Sequence, residues 1–127
     1  MSDDVRKVLI VDDEPGFTKI VKLTLEGKKS YQVRELNNPV MTVQVANEFS
    51  PDIILLDVIM PELDGGDVVA QLSADPVLKK IPVLFVTAII SKKEVKQHNG
   101  VIGGRFYIAK PVSAEGLIQS IEDRLAA

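Results

Sequence analysis

Asp52-Ile53-Ile54-Leu55-Leu56-Asp57 sets four consecutive branched apolar residues between two carboxylates. A run that is apolar at every position has no wet face. It suits a strand buried on both sides, as in a parallel sheet covered by helices. Three other segments follow the same grammar. Residues 7–13 read Lys-Val-Leu-Ile-Val-Asp-Asp, residues 81–87 Ile-Pro-Val-Leu-Phe-Val-Thr, and residues 105–110 Arg-Phe-Tyr-Ile-Ala-Lys. Each apolar run ends in a polar or charged group. Residues 31–36 alternate instead, with Gln32, Arg34 and Glu35 among apolar neighbours, which predicts an edge strand with one wet face.

Helical patterns fill the intervals. Residues 15–26 open on Pro15 and place Phe17, Ile20, Val21 and Leu25 roughly on one face, with Gly27 as a stop. Residues 40–48 and 66–74 form two shorter helical patterns. Residues 91–99 begin with Ser91-x-x-Glu94, the spacing of a capping box. Residues 113–125 carry Leu117, Ile118, Ile121 and Leu125 on one stripe. Strand and helix alternate five times, so the chain is expected to form one α/β domain over residues 1–127, a doubly wound five-stranded parallel sheet.

Composition agrees and excludes other classes. The chain has 127 residues, enough for one core without staples, with 46% hydrophobic and 26% charged residues. Fifteen Lys and Arg against 18 Asp and Glu give a net charge of −3. That balance leaves no broad basic face, so direct nucleic-acid binding is not expected. Absence of Cys removes disulfides, thiolate metal sites and a cysteine nucleophile. Apolar runs stop near four residues, so membrane insertion is not expected, since a spanning helix needs about 20. The acidic start Met1-Ser2-Asp3-Asp4 lacks a signal-peptide core, so the expected location is cytoplasmic.

In a doubly wound sheet, ligands bind beyond the carboxyl ends of the strands. Those ends carry Asp12, Asp13, Asp57, Thr87 and Lys110. Three carboxylates in one crevice resist joint ionisation, and a hard divalent cation relieves the repulsion. Oxygen ligands alone suit Mg²⁺ better than Zn²⁺, and Mg²⁺ commonly shares its sphere with phosphate. A carboxylate can also be a nucleophile toward phosphorus. Lys110 offers a fixed positive charge and Thr87 a hydrogen bond to a phosphoryl oxygen. Singly, these residues have plainer readings: helix capping for Asp12-Asp13-Glu14, a turn for Asp57, core or edge packing for Tyr107. Their conjunction at four strand ends favours phosphoryl chemistry.

The motifs behind that conjunction are specific. They are Asp12-Asp13-Glu14-Pro15, the string Asp57-Val58-Ile59-Met60-Pro61-Glu62-Leu63-Asp64-Gly65, Thr87-Ala88, and Lys110-Pro111 with Tyr107 three residues earlier. Over essentially its whole length the chain resembles the receiver domain of two-component response regulators, of the chemotaxis-regulator type. The resemblance implies a flavodoxin-like (βα)5 fold with strand order 2-1-3-4-5. It implies that Asp57 accepts a phosphoryl group from a sensor histidine kinase or phosphotransfer protein. Mg²⁺ would be bound by Asp12, Asp13, Asp57 and the backbone carbonyl of Ile59. Lys110 would pair with the phosphoryl group or, before phosphorylation, with Asp57. Thr87 and Tyr107 would form the switch, and Lys110-Pro111 would be a cis peptide bond.

The resemblance further implies a readout face from the fourth helix through the fifth strand and fifth helix. That face would serve a downstream protein partner, an output domain beyond this chain, or a homodimer formed on phosphorylation. Ile59 and Ile89, each two residues past a site residue, are expected to exclude water and lengthen the life of the aspartyl phosphate. Two other functions compete. One is a receiver-like protein-binding module that no longer depends on phosphate, which retention of all five strand-end groups argues against. The other is a small flavin or nucleotide enzyme. It would want a Gly/Ser/Thr-rich phosphate loop after the first strand, where Asp-Asp-Glu-Pro stands instead.

Overall fold

The computed structural model describes residues 5–28, 30–88, 91–97, 101–102, 105–110 and 112–126. The strands are β1 (Arg6–Val11), β2 (Tyr31–Leu36), β3 (Ile53–Leu56), β4 (Val83–Thr87), β5 (Val101–Ile102) and β6 (Arg105–Ala109). The helices are α1 (Pro15–Glu26), α2 (Thr42–Phe49), α3 (Gly65–Ser73), α4 (Lys92–Gln97) and α5 (Ala114–Ala126). Sheet order is β2-β1-β3-β4-β6-β5. The five long strands are parallel and keep the expected 2-1-3-4-5 order, with β6 as the fifth. An antiparallel strand was not expected: β5 pairs with β6 through Val101↔Phe106 and Ile102↔Arg105. The Gly103-Gly104 pair in the intervening sequence was an available hairpin signal.

Period-two geometry turns each uniformly apolar strand into a contributor to two cores. Val8 and Ile10 pack with Val21, Leu25, Leu117 and Ile121, on the side of α1 and α5. Leu9 and Val11 pack with Val45, Ala46, Val68 and Leu72, on the side of α2 and α3. Ile53 and Leu55 join the first cluster, Ile54 and Leu56 the second. This division is why residues 53–56 carry no polar side chain at all.

Some local expectations need correction. Ile20 is 63% exposed, and the buried stripe of α1 runs through Thr18, Val21 and Leu25. Turns of 3₁₀ helix at Pro39–Met41 and Leu78–Lys80 precede α2 and β4. The side chain of Asn38 accepts from Val40 N–H in the first, and Asp75 accepts from Val77 and Leu78 N–H in the second. The Ser91–Glu94 capping box forms as read: each side chain accepts from the other residue's N–H at 3.1 Å. The expected end of that helix, residues 98–99, lies outside the described residues.

Parallel register brings the strand ends level. Val11 pairs with Leu56, Leu56 with Phe85, and Thr87 with Ala109. Backbone bonds extend the alignment one residue further: Asp12 N–H to Leu36 O (3.1 Å), Asp57 N–H to Val11 O (3.1 Å), and Lys110 N–H to Thr87 O (2.9 Å). Four side chains from separate strands thus emerge at one rim.

Candidate phosphoryl-acceptor site

Asp12, Asp13 and Asp57 each place one carboxylate oxygen within 4.8 Å of the others. Asp12 and Asp57 are buried, and Asp13 is half-buried. Asp12 is anchored from several sides. Its Oδ1 accepts from Glu14 N–H at 3.0 Å, and its backbone carbonyl accepts from Asn37 Nδ2 at 2.8 Å. Asn37 also donates to the Thr18 hydroxyl at 3.0 Å, and that hydroxyl donates to Glu35 Oε1 at 2.8 Å. Asn37 and Thr18 did not stand out in the sequence, because scattered polar residues carry no periodic signal, and Glu35 read only as a wet-face residue of the edge strand.

Lys110 closes the cluster from β6. Its Nζ donates to Asp12 Oδ2 at 2.7 Å and to Glu14 Oε1 at 3.1 Å. Asp57 Oδ2 is farther, at 3.6 Å. The expected pairing with Asp57 is therefore shared, and the shortest contacts go to Asp12 and Glu14. The ammonium also lies 4.2 Å from the ring centroid of Phe17. Burial raises the Asp12 carboxyl above its ordinary range, against the pull of Lys110 and the Glu14 N–H, and the charge of Asp57 adds to the rise. Burial alone would lower the Lys110 ammonium. Hydrogen bonds to Asp12 and Glu14, with the charges of Asp12 and Asp57, outweigh it and hold the value above ordinary lysine.

Thr87 is buried at the end of β4. Tyr107 lies opposite Phe85 in register, and the two rings stack at 5.0 Å with 23° between planes. Ile59, on the loop after β3, is 59% exposed. Pro111 and Ile89 lie outside the described residues, so the expected cis bond and the second water-excluding residue are not seen here. The loop from β3 returns through Gly65, whose N–H donates to Val58 O at 2.7 Å. Asp64 and Asp67 form a reciprocal capping box at the start of α3.

Three acids, an ammonium and a buried hydroxyl at the carboxyl rim of this sheet form a site for a cation and an anion together. Residues 8–122 match the response regulator receiver domain. The chain belongs to that family. This receiver is 36% identical over 121 residues to the protein PilH of Pseudomonas aeruginosa, covering 94% of this chain and 98% of PilH. It is 33% identical over 121 residues to the polar-differentiation response regulator DivK of Brucella anthropi, covering 94% and 96%. The structure of the Vibrio cholerae chemotaxis protein CheY4 superposes with a TM-score of 0.79 at 27% identity, covering 94% of this chain and 98% of that one. Receiver domains are signalling modules of two-component phosphorelays, acting between histidine kinases and downstream proteins. Among the described residues, no helix of this receiver is long and apolar enough to cross a membrane.

Proposed function

We propose that this receiver is phosphorylated on Asp57 by a phosphohistidine of a sensor kinase or phosphotransfer protein. An Asp57 carboxylate oxygen attacks phosphorus, the P–N bond breaks, and its electron pair returns to the donor imidazole. The observation that carries the reading is the convergence of the Asp12, Asp13 and Asp57 oxygens within 4.8 Å, with the Lys110 ammonium 3.6 Å from Asp57. Oxygen donors at that spacing fit a hard divalent cation. Asp12, Asp13, Asp57 and the Ile59 carbonyl would hold Mg²⁺. Bound Mg²⁺ would supply positive charge to offset the crowded carboxylates and phosphoryl oxygens. Lys110 neutralises charge on the phosphoryl group, and the Thr87 hydroxyl donates to one of its oxygens.

The product adds nearly two negative charges beside Lys110 and Thr87. Thr87 ends β4, and Tyr107 is stacked one strand away on Phe85. The pair forms the switch, and α4, β6 and α5 form the face that a downstream partner, an output domain or a second phosphorylated copy reads. The donor docks beside the site on α1, whose Ile20 and Leu23 are 63% and 64% exposed. The protein turns over no metabolite, works in the cytoplasm, and contacts neither nucleic acid nor membrane directly.

The test is uptake of one phosphoryl group from acetyl phosphate with Mg²⁺, read by intact mass. Wild type should gain it and Asp57→Asn should not. Equal uptake by the variant would move the acceptor elsewhere. No uptake by wild type would leave the phosphate-independent binding module.

A further inference from the structure

Lys110 is held by more than carboxylates. Two of its N–H groups reach Asp12 and Glu14, its side chain is only 12% exposed, and the ring of Phe17 lies 4.2 Å from Nζ. Glu14 and Phe17 belong to one tight turn, closed by Phe17 N–H donating to Glu14 O at 3.1 Å. Pro15 starts α1 there without an N–H to lose. A β-carbon on Gly16 would meet nothing within 4 Å, so the turn itself is uncrowded. Phe17 is half-buried and packs against the α1/α5 core. An aliphatic side chain could fill that edge of the core. Only an aromatic ring also offers a negative face to an ammonium, and partial desolvation strengthens that attraction.

The holds on Lys110 differ in kind. Those of Asp12 and Glu14 depend on carboxylate charge, and Glu14 is 66% exposed, where water weakens an ion pair. Attraction to the ring persists when Asp12 takes part in other contacts. We infer that Phe17 is a positioning residue, its ring holding the Lys110 ammonium within reach of a phosphoryl group on Asp57. The inference rests on Asp57 being the phosphoacceptor.

The full chain with Mg²⁺ and acetyl phosphate tests it. Phe17→Leu should slow phosphorylation roughly three- to tenfold, and Phe17→Tyr, which keeps the ring, should restore most of the rate. In a Lys110→Met background, Phe17→Leu should have no further effect, because a residue acting only through Lys110 loses its lever when the ammonium is gone. Unchanged kinetics in Phe17→Leu, or the same fractional loss with and without the ammonium, would overturn the inference. Proton NMR gives a reading that does not require the Lys110 variant to fold. The Lys110 ε-methylene should be shifted upfield by the ring in wild type and return to the ordinary lysine position in Phe17→Leu, and no such difference would overturn it too. Failure of wild type to take up phosphate would remove the phosphoacceptor reading itself, an outcome distinct from a wild type that reacts and a Phe17→Leu that matches it.

Discussion

Gly65 shows how closely the loop after Asp57 is packed. A β-carbon there would lie 2.8 Å from the Asp57 carbonyl oxygen, 2.9 Å from Phe85 Cε1 and 3.0 Å from Val58 Cα. Two of those neighbours are backbone and cannot rotate away. Gly65→Ala should therefore displace the backbone of Asp57, cost about 1–3 kcal/mol in urea unfolding, and reduce acetyl-phosphate uptake. Stability within error of wild type would show that the loop has room to move. Ile59 is a milder case. It stands two residues after Asp57, is exposed, and has no polar side-chain atom to hold water. Ile59→Asn adds an amide that can orient water, so the phosphorylated variant should lose its phosphoryl group faster than wild type, as followed by intact mass over time. A slower loss would reverse the assigned role.

Helix α1 has two faces with different duties. Thr18, Val21 and Leu25 are buried, while Ile20 and Leu23, three residues apart, stand exposed on the other side. Introducing charge there, as in Ile20→Asp with Leu23→Asp, should weaken phosphotransfer from a histidine donor protein and leave acetyl-phosphate uptake near wild type, because the small donor needs no docking surface. Equal loss with both donors would point to damage within the site. The 3₁₀ turn at Leu78–Lys80 offers a pH test. Hydrogen bonds from the N–H groups of Leu78 and then Val77 hold the Asp75 carboxyl below its ordinary value of 3.8. Ionised Asp75 thus supports the fold above pH 3.8, and that support is lost as pH falls through the lower folded-state value. Asp75→Asn keeps an acceptor and removes the titration. Its stability should fall less steeply than that of wild type below pH 3.8, as read by urea unfolding at stepped pH.

The proposed cation site at the acidic rim makes predictions for the stability of the whole molecule. Burial raises the Asp12 carboxyl, so its ionised form opposes folding. That opposition is complete above the raised folded-state value and fades as pH drops through it. At neutral pH without metal, Asp57→Asn should consequently be more stable than wild type, since it removes a like charge beside Asp12 and leaves Lys110 paired with Asp12 and Glu14. Wild type should gain about 2.7 kcal/mol in Mg²⁺ at a hundred times its dissociation constant, and the variant should gain much less. Thermal unfolding with and without Mg²⁺ reads both effects. A variant that is less stable than wild type without metal would show that the rim is not under charge strain.

Much of this molecule was legible in residues 7–13, 52–57, 81–87 and 105–110. A strand buried on both faces must be apolar at every position, so those runs announced a covered parallel sheet. Parallel strands then oblige their last residues to meet at one rim, which is why the sequence alone groups Asp12, Asp57, Thr87 and Lys110. The orientation of Ile20 was not legible, because an apolar residue near the border of a helical stripe can fall to either side until the neighbouring helix is in position. Nor were the partners of Lys110. A long side chain reaches several acids from one backbone position, and its choice of Asp12, Glu14 and the Phe17 ring over a closer hold on Asp57 depends on where burial, charge and ring face coincide in space. Chain periodicity carries which elements form and in what order; the distances that decide chemistry arise only when elements far apart in the chain are packed together.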